Sequence, residues 1–226
     1  MSDNLVKERM DSATIAMRAV KEFEDGVIVN LGVGLPTLCS SFVPPDKEVL
    51  FHSENGVLGF GPILTDPETA DIHLINAGAQ PVSRRPGMSL FDQAESFCMV
   101  RGGHLDLAVL GALQVSERGD LANYHMPGKP MGSLGGGQDL AFCARKVIVL
   151  LNHSWQGQPR VLTTCSLPVT APACVDLIIT DIAVMKVTAE GLLLTEVAPG
   201  WTPAEIQQET GARLIVSPDL KEIELM

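Results

Sequence analysis

One carboxylate in this chain stands where chemistry could use it. Ser53-Glu54-Asn55-Gly56 follows the apolar run Val49-Leu50-Phe51 and opens into Val57-Leu58-Gly59-Phe60-Gly61-Pro62. That order sets Glu54 on a glycine-rich turn at the end of a strand, where α/β proteins expose their reactive groups. On position and composition alone, Glu54 could serve as nucleophile, general base or plain turn acid. Two further glycine turns bring backbone into the open, and the first of them could bind negative charge through backbone N–H groups. Gly32-Val33-Gly34 lies between a strand and Pro36; it lacks the third glycine of the dinucleotide fingerprint and equally suits close packing. Gly135-Gly136-Gly137 could also do no more than permit a tight turn. The five histidines show no His-x-x-His or Cys/His spacing, so no metal site is expected.

The elements that must position these residues follow from hydrophobic period. Ala13, Ala16, Met17, Val20 and Phe23 recur at helical spacing and Gly26 supplies a stop, which predicts an opening amphipathic helix. Val27–Leu31 is a nearly continuous apolar run, as expected of a strand buried on both faces of a parallel sheet. Pro36 fits the first turn of a helix running to about Val43. The grammar of apolar strand followed by small-residue turn recurs at Val49–Phe51, His73–Ile75 and Leu105–Leu110, with a helical stretch at Ser89–Met99. Strands follow at Val147–Leu151, Leu177–Ile179, Val184–Val187 and Leu192–Val197, the last two readable as a hairpin. Thr202-Pro203-Ala204-Glu205 reads as a capping box opening a helix to about Thr210. This pattern predicts an α/β fold, a mostly parallel sheet with helices on both faces, in a single domain over residues 1–226. The irregular stretch from Gly119 to Gly137 is long enough to suggest function.

Bulk properties exclude some classes. A chain of 226 residues with 46% hydrophobic residues can bury a large core. A net charge of −11 leaves nothing to neutralise a run of phosphates, so nucleic acid is not an expected partner. No apolar run approaches the length of a membrane span and no signal-peptide core precedes Gly26, which points to the cytosol. Five widely spaced cysteines without a C-x-x-C pair read as reduced thiols.

The segment His52-Ser53-Glu54-Asn55-Gly56-Val57-Leu58-Gly59-Phe60-Gly61-Pro62 closely resembles the active-site segment of the β subunit, or β half, of family I coenzyme A transferases. The likeness continues in order through Asn30-Leu31-Gly32-Val33-Gly34-Leu35-Pro36-Thr37, Leu74-Ile75-Asn76-Ala77-Gly78, Arg101-Gly102-Gly103-His104-Leu105-Asp106, Gly111-Ala112-Leu113-Gln114-Val115 and Gly135-Gly136-Gly137-Gln138-Asp139-Leu140. It implies the family's open-sandwich fold and a transfer of coenzyme A from a short-chain acyl-CoA to an acetate, butyrate or 3-oxoacid acceptor. Glu54 would carry a glutamyl-CoA thioester. Gly136, with Gly135 beside it, falls on the oxyanion donor, while Asn55, Gly32, Gly34 and Lys129 are further substrate-binding candidates. Coenzyme A would be a substrate moiety, with no permanently bound cofactor. An α subunit is the implied partner, in an α2β2 assembly, and the length and the helix following Met1 match a free β subunit. Departures at Gly137-Gln138, Tyr124, Ala79-Gln80 and Asn152 bear on the acid used, and a 3-oxoadipate CoA-transferase subunit is the alternative. A sugar-phosphate isomerase of similar architecture and a non-catalytic binding subunit are more distant alternatives.

Overall fold

Asp11 begins the first element by accepting the Thr14 N–H at 2.8 Å, an N-cap for helix α1 (Ser12–Val20). Ile15, Ala16, Ala19 and Val20 form its buried face. In the computed structural model, which describes residues 7–66, 68–128, 130 and 132–225, strands β1 (Val27–Leu31), β2 (Val49–Ser53), β3 (Val57–Leu58) and β4 (Ser89–Leu90) follow. Next come α2 (Gln93–Arg101), β5 (Leu107–Gly111), β6 (Gln114–Ser116), β7 (Leu121–Ala122), α3 (Gly137–Cys143) and β8 (Lys146–Leu151). The chain continues through β9 (Ser154–Trp155), β10 (Gln158–Pro159), β11 (Val161–Leu162), β12 (Leu177–Thr180), β13 (Ala183–Thr188), β14 (Gly191–Val197), α4 (Pro203–Glu209) and β15 (Leu214–Glu222).

Ten strands form one sheet in the order β15-β14-β13-β12-β8-β5-β1-β2-β3-β4. Its centre, β12 to β2, is parallel throughout; β13, β14, β3 and β4 extend it by antiparallel pairing, and β15 lies parallel to β14. The unbroken apolar runs of the central strands are explained by burial on both faces. Val29, Val109, Ile148, Leu150 and Ile179 enter the core beneath α1, whereas Ala108, Leu110, Val147, Val149 and Ile178 enter the opposite core with Val100 of α2, Leu140 of α3 and Ile206 of α4. Each such aliphatic side chain contributes about 1.5–3 kcal/mol by leaving water. The chain leaves β1 for β2 on one side and later returns as β5 on the other. That reversal opens a crevice at the carboxyl ends of the strands, the usual ligand position in such sheets.

Several local expectations are corrected. The opening helix stops at Val20, and Phe23 is carried into the core by turn bonds from Glu22 N to Ala19 O and from Phe23 N to Val20 O. After Gly34 the chain forms a 3₁₀ helix, Leu35–Ser41, rather than an α-helix to Val43, because Thr37 and Ser40 hydroxyls bond carbonyls three residues back and tighten the turn. His73–Ile75 is not a strand. Asp71 and Asn76 side chains capture nearby backbone N–H groups into turns, and the isolated bridge from Ile75 to Pro81 cannot extend because proline offers no donor. Ser89 and Leu90 pair with β3, so α2 begins only at Gln93, behind the Asp92 cap. The capping box at Thr202 and the β13–β14 hairpin stand where the sequence places them.

Candidate active site

The tetrad around Glu54 is a β-hairpin loop. Pairing of His52 with Leu58 and of Ser53 with Val57 leaves Glu54, Asn55 and Gly56 outside the ladder, and Gly56 N closes the turn on Ser53 O at 2.9 Å. Gly56 has φ 114°, and a Cβ there would run into the Phe91 carbonyl, so only glycine fits. The loop is tied on three sides: Ala77 N donates to Ser53 Oγ at 2.8 Å, Asn55 Nδ2 to Ile75 O at 2.8 Å, and Phe91 N to Gly56 O at 3.0 Å.

Glu54 is half-buried and borders a cleft of about 450 Å3 at the carboxyl ends of β1, β2 and β5. Gly32 and Val33 form one wall, Leu110–Leu113 and Asn123 the floor, and the 133–137 loop before α3 the facing wall. Gly32 is there because backbone must pass close: an added Cβ would lie 3.2 Å from Val109 O. Gly136 approaches Glu54 most intimately, since a Cβ on it would stand 3.4 Å from Glu54 Cγ and 2.9 Å from Phe97 Cζ. Its neighbours' amides are engaged, Gly135 N with Ser133 Oγ and Gly137 N with Leu134 O, both at 3.0 Å. Among the described residues the Gly136 amide has no acceptor. A preorganised N–H beside a carboxylate can bind an oxyanion that develops there.

Behind Glu54 lies a polar chain that sequence reading missed. Asn30 Nδ2 is 3.4 Å from Glu54 Oε2, 3.0 Å from His52 Nδ1 and 3.2 Å from His52 O; His52 Nε2 is 3.0 Å from Ser96 Oγ of α2. Asn30, His52 and Ser96 are all buried, and desolvation pushes the His52 imidazole down to about 4, so the ring is neutral. Their residue types form no motif. The only available signal is adjacency: His52 lies in the strand that delivers Glu54, two residues before it. Phe97, the ring against Gly136, stands out in the sequence only as part of a helix.

The structure thus brings Gly32, Glu54, Gly135 and Gly136 to one cleft. It does not bring Asn55 there, whose amide is spent on Ile75 O, nor Gly34, which has φ 92° and starts the 3₁₀ helix. Lys129 lies outside the described residues. Arg101 pairs with Asp139 and Asp106 accepts from Ile28 N and Arg145, so both brace the fold. A larger cavity of about 570 Å3 surrounds Arg18, Glu22 and Glu196. Those charges are already joined to one another in ion pairs, which makes the smaller cleft with its half-buried carboxylate the better site. Among the described residues no cluster of three or more His, Cys, Asp or Glu side chains could hold a metal, and the five cysteines are free thiols.

Comparison with known proteins gives the context for this geometry. Residues 13–209 match the protein family described as Coenzyme A transferase. The chain is 45% identical over 201 residues to the β-type subunit of the probable succinyl-CoA:3-ketoacid coenzyme A transferase of Bacillus subtilis, covering 88% of this chain and 93% of that one. It is 43% identical over 212 residues to the β-type subunit of the 3-oxoadipate CoA-transferase of Pseudomonas putida, covering 93% and 99%. Among solved structures, an acyl-CoA transferase apoenzyme of Escherichia coli O157:H7 superimposes with a TM-score of 0.73 at 22% identity, over 95% of this chain and 43% of that chain, a likeness of fold. The isomerase alternative therefore falls away. The chain belongs to the coenzyme A transferase family, as an enzyme subunit of its β type.

Proposed function

We propose that this subunit transfers coenzyme A from a short-chain acyl-CoA to a carboxylic acid through a thioester on Glu54. The observation that carries the reading is the approach of the Glu54 side chain to the Gly136 turn, where an added Cβ would stand 3.4 Å from Glu54 Cγ and the amide has no acceptor among the described residues. The Glu54 carboxylate attacks the thioester carbonyl carbon, forming an acyl-glutamyl anhydride as the C–S bond breaks and coenzyme A leaves as thiolate. The thiolate attacks the glutamyl carbonyl, the donor acid leaves as carboxylate, and a γ-glutamyl-CoA thioester remains. An acceptor carboxylate reverses these steps and departs as the new acyl-CoA, restoring Glu54. A carboxylate is a weak nucleophile, so each tetrahedral oxyanion needs fixed donors, each contributing about 3 kcal/mol. The Gly136 amide is one, with Gly135 and Gly32 shaping the backbone around it.

Leu110, Ala112, Leu113 and Leu134 give the cleft apolar surface suited to a short acyl chain. The acceptor class is acetate, butyrate or a 3-oxoacid; near-equal identity to the 3-ketoacid and 3-oxoadipate enzymes keeps 3-oxoadipate as a second reading. An α subunit completes the site, in an α2β2 assembly, and supplies most of the surface for the nucleotide end of coenzyme A. The reading places the enzyme in the cytoplasm; no described helix is long and apolar enough to cross a membrane. The test is to incubate the complex reconstituted with its α subunit with acyl-CoA and map the adduct by mass spectrometry. A mass increment on Glu54, absent in Glu54→Ala together with turnover, is expected. An adduct elsewhere, or turnover in Glu54→Ala, overturns the mechanism, and parallel assays with acetoacetate and 3-oxoadipate choose the acid.

A further inference from the structure

Asn30 reaches Glu54 with an amide whose two ends differ in chemistry, so something must decide which end faces the carboxylate. Two of its neighbours, His52 O and Glu54 Oε2, only accept hydrogen bonds when Glu54 is ionised, which assigns the amide nitrogen to that side. Among the described residues Asn30 Oδ1 is buried without a partner. Leaving that acceptor unpaired is unfavourable, and the orientation stands only because the groups on the other side favour the nitrogen more. His52 Nδ1, 3.0 Å away, is the neighbour that tips the balance: as an acceptor it joins the other two in holding the nitrogen, whereas a proton on it would draw the amide oxygen instead. With Nδ1 accepting, the neutral ring carries its proton on Nε2 and donates it to Ser96 Oγ at 3.0 Å. The ring is also fixed in plane by stacking on Phe91, with centroids 6.3 Å apart and planes 17° apart.

We propose that His52, anchored by Ser96, is a positioning residue that keeps the N–H of Asn30, rather than its carbonyl, against the Glu54 carboxylate. The inference rests on the reading of Glu54 as nucleophile. A flipped amide would set a carbonyl oxygen against a carboxylate oxygen, and the donor that follows Glu54 through the reaction would be lost.

The test is a double-mutant cycle in the reconstituted αβ complex, following the rate at which acyl-CoA places coenzyme A on Glu54. His52→Phe keeps the ring and its stacking but removes the acceptor; His52→Asn returns an acceptor near the Nδ1 position. His52→Phe should slow adduct formation about tenfold to a hundredfold, the loss of one hydrogen bond to a charged group, with the KM for acyl-CoA within about twofold of wild type. His52→Asn should recover most of the rate. In an Asn30→Ala background, His52→Phe should change the rate by less than about twofold, because its effect passes through Asn30. Equal losses in both backgrounds, or a wild-type rate in folded His52→Phe, would overturn the proposal. If His52→Phe does not assemble, Ser96→Ala takes its place: slowing confined to the Asn30 background supports the pair, and equal or absent slowing refutes it. A wild-type complex with no adduct on Glu54 would instead sink the reading of the site itself.

Discussion

Replacing Gly136 by alanine probes the contact on which the proposed chemistry depends. Gly136 has φ −81° and ψ −1°, a conformation alanine adopts, so the substitution adds a methyl group without forbidding the backbone. That methyl would stand 2.9 Å from Phe97 Cζ and 3.4 Å from Glu54 Cγ. Carbon atoms rest about 3.5–4.0 Å apart, so loop and ring must separate by about 0.6–1 Å. Glu54 blocks retreat toward the cleft. Phe97 is half-buried, with the Arg101 guanidinium 5.5 Å from its ring centre and Arg101 paired to Asp139 at 2.7 Å, so ring and loop share the displacement. The strain therefore displaces the Gly136 amide. A misplacement of about 1 Å costs on the order of a hundredfold, and complete loss of one oxyanion donor costs a similar factor or more. Gly136→Ala should lower kcat about a hundredfold in the steady-state transferase assay of the reconstituted complex. The overpacking itself should destabilise the fold by about 1–3 kcal/mol. Phe97→Leu in the same chain removes the clashing ring atom and should return about tenfold of the lost rate. A folded Gly136→Ala enzyme with kcat within about twofold of wild type would refute the reasoning and leave this glycine as a turn residue only.

Arg18, buried beneath the sheet edge, makes two hydrogen bonds to Glu196 at 2.6 and 2.7 Å. Arg18→Met should destabilise the chain by about 3–5 kcal/mol in denaturant titration by stranding a buried carboxylate, while Arg18→Met with Glu196→Leu should recover most of it. His153 is buried between Thr180 and Thr210, and burial lowers its imidazole to about 4. The unfolded chain takes up this proton first as pH falls below about 6.5, so the His153 contribution to stability should drop between pH 6.5 and 4 and level off below. The drop is on the order of 3 kcal/mol for His153, and a His153→Gln variant should show a flatter pH dependence of its denaturation midpoint across that window. The isolated chain should show little transferase activity and recover it on addition of an α subunit, measured as rate and as mass by light scattering; high activity from the chain alone would refute a divided site.

Much of the fold was legible in the sequence for physical reasons. Strands buried on both faces must be apolar along their whole length, so Val27–Leu31 and Val147–Leu151 announce themselves. Thr202 and Glu205 satisfy each other's backbone donors within four residues, a short-range pairing that local reading can see. The Glu54 turn is equally local. Asn30, His52 and Ser96 are not, because 22 and 44 residues separate them: the parallel register of β1 with β2 sets Asn30 opposite His52, and the packing of α2 brings Ser96 to the ring. The error at His73–Ile75 has the same root: Asp71 and Asn76 compete for backbone donors, and apolar runs of three residues carry too little period to outweigh them.

With Glu54 as the nucleophile proposed above, the tethers on the hairpin loop would set the kinematics of the reaction. With Ser53 held by Ala77, Asn55 by Ile75 and Gly56 wedged against Phe91, the backbone carrying Glu54 is a fixed post. A nucleophile that must meet an acyl carbon, then a sulfur, then a second acid can then change partners only by rotation about its own side-chain bonds. The travel falls to the substrates: the thiolate and the two acids must move in and out past a stationary pivot. Such an arm sweeps an arc a few ångströms long and returns to one starting point after each cycle, so the same carboxylate geometry greets donor and acceptor alike. Forward and reverse transfer would share one stroke, run in opposite senses.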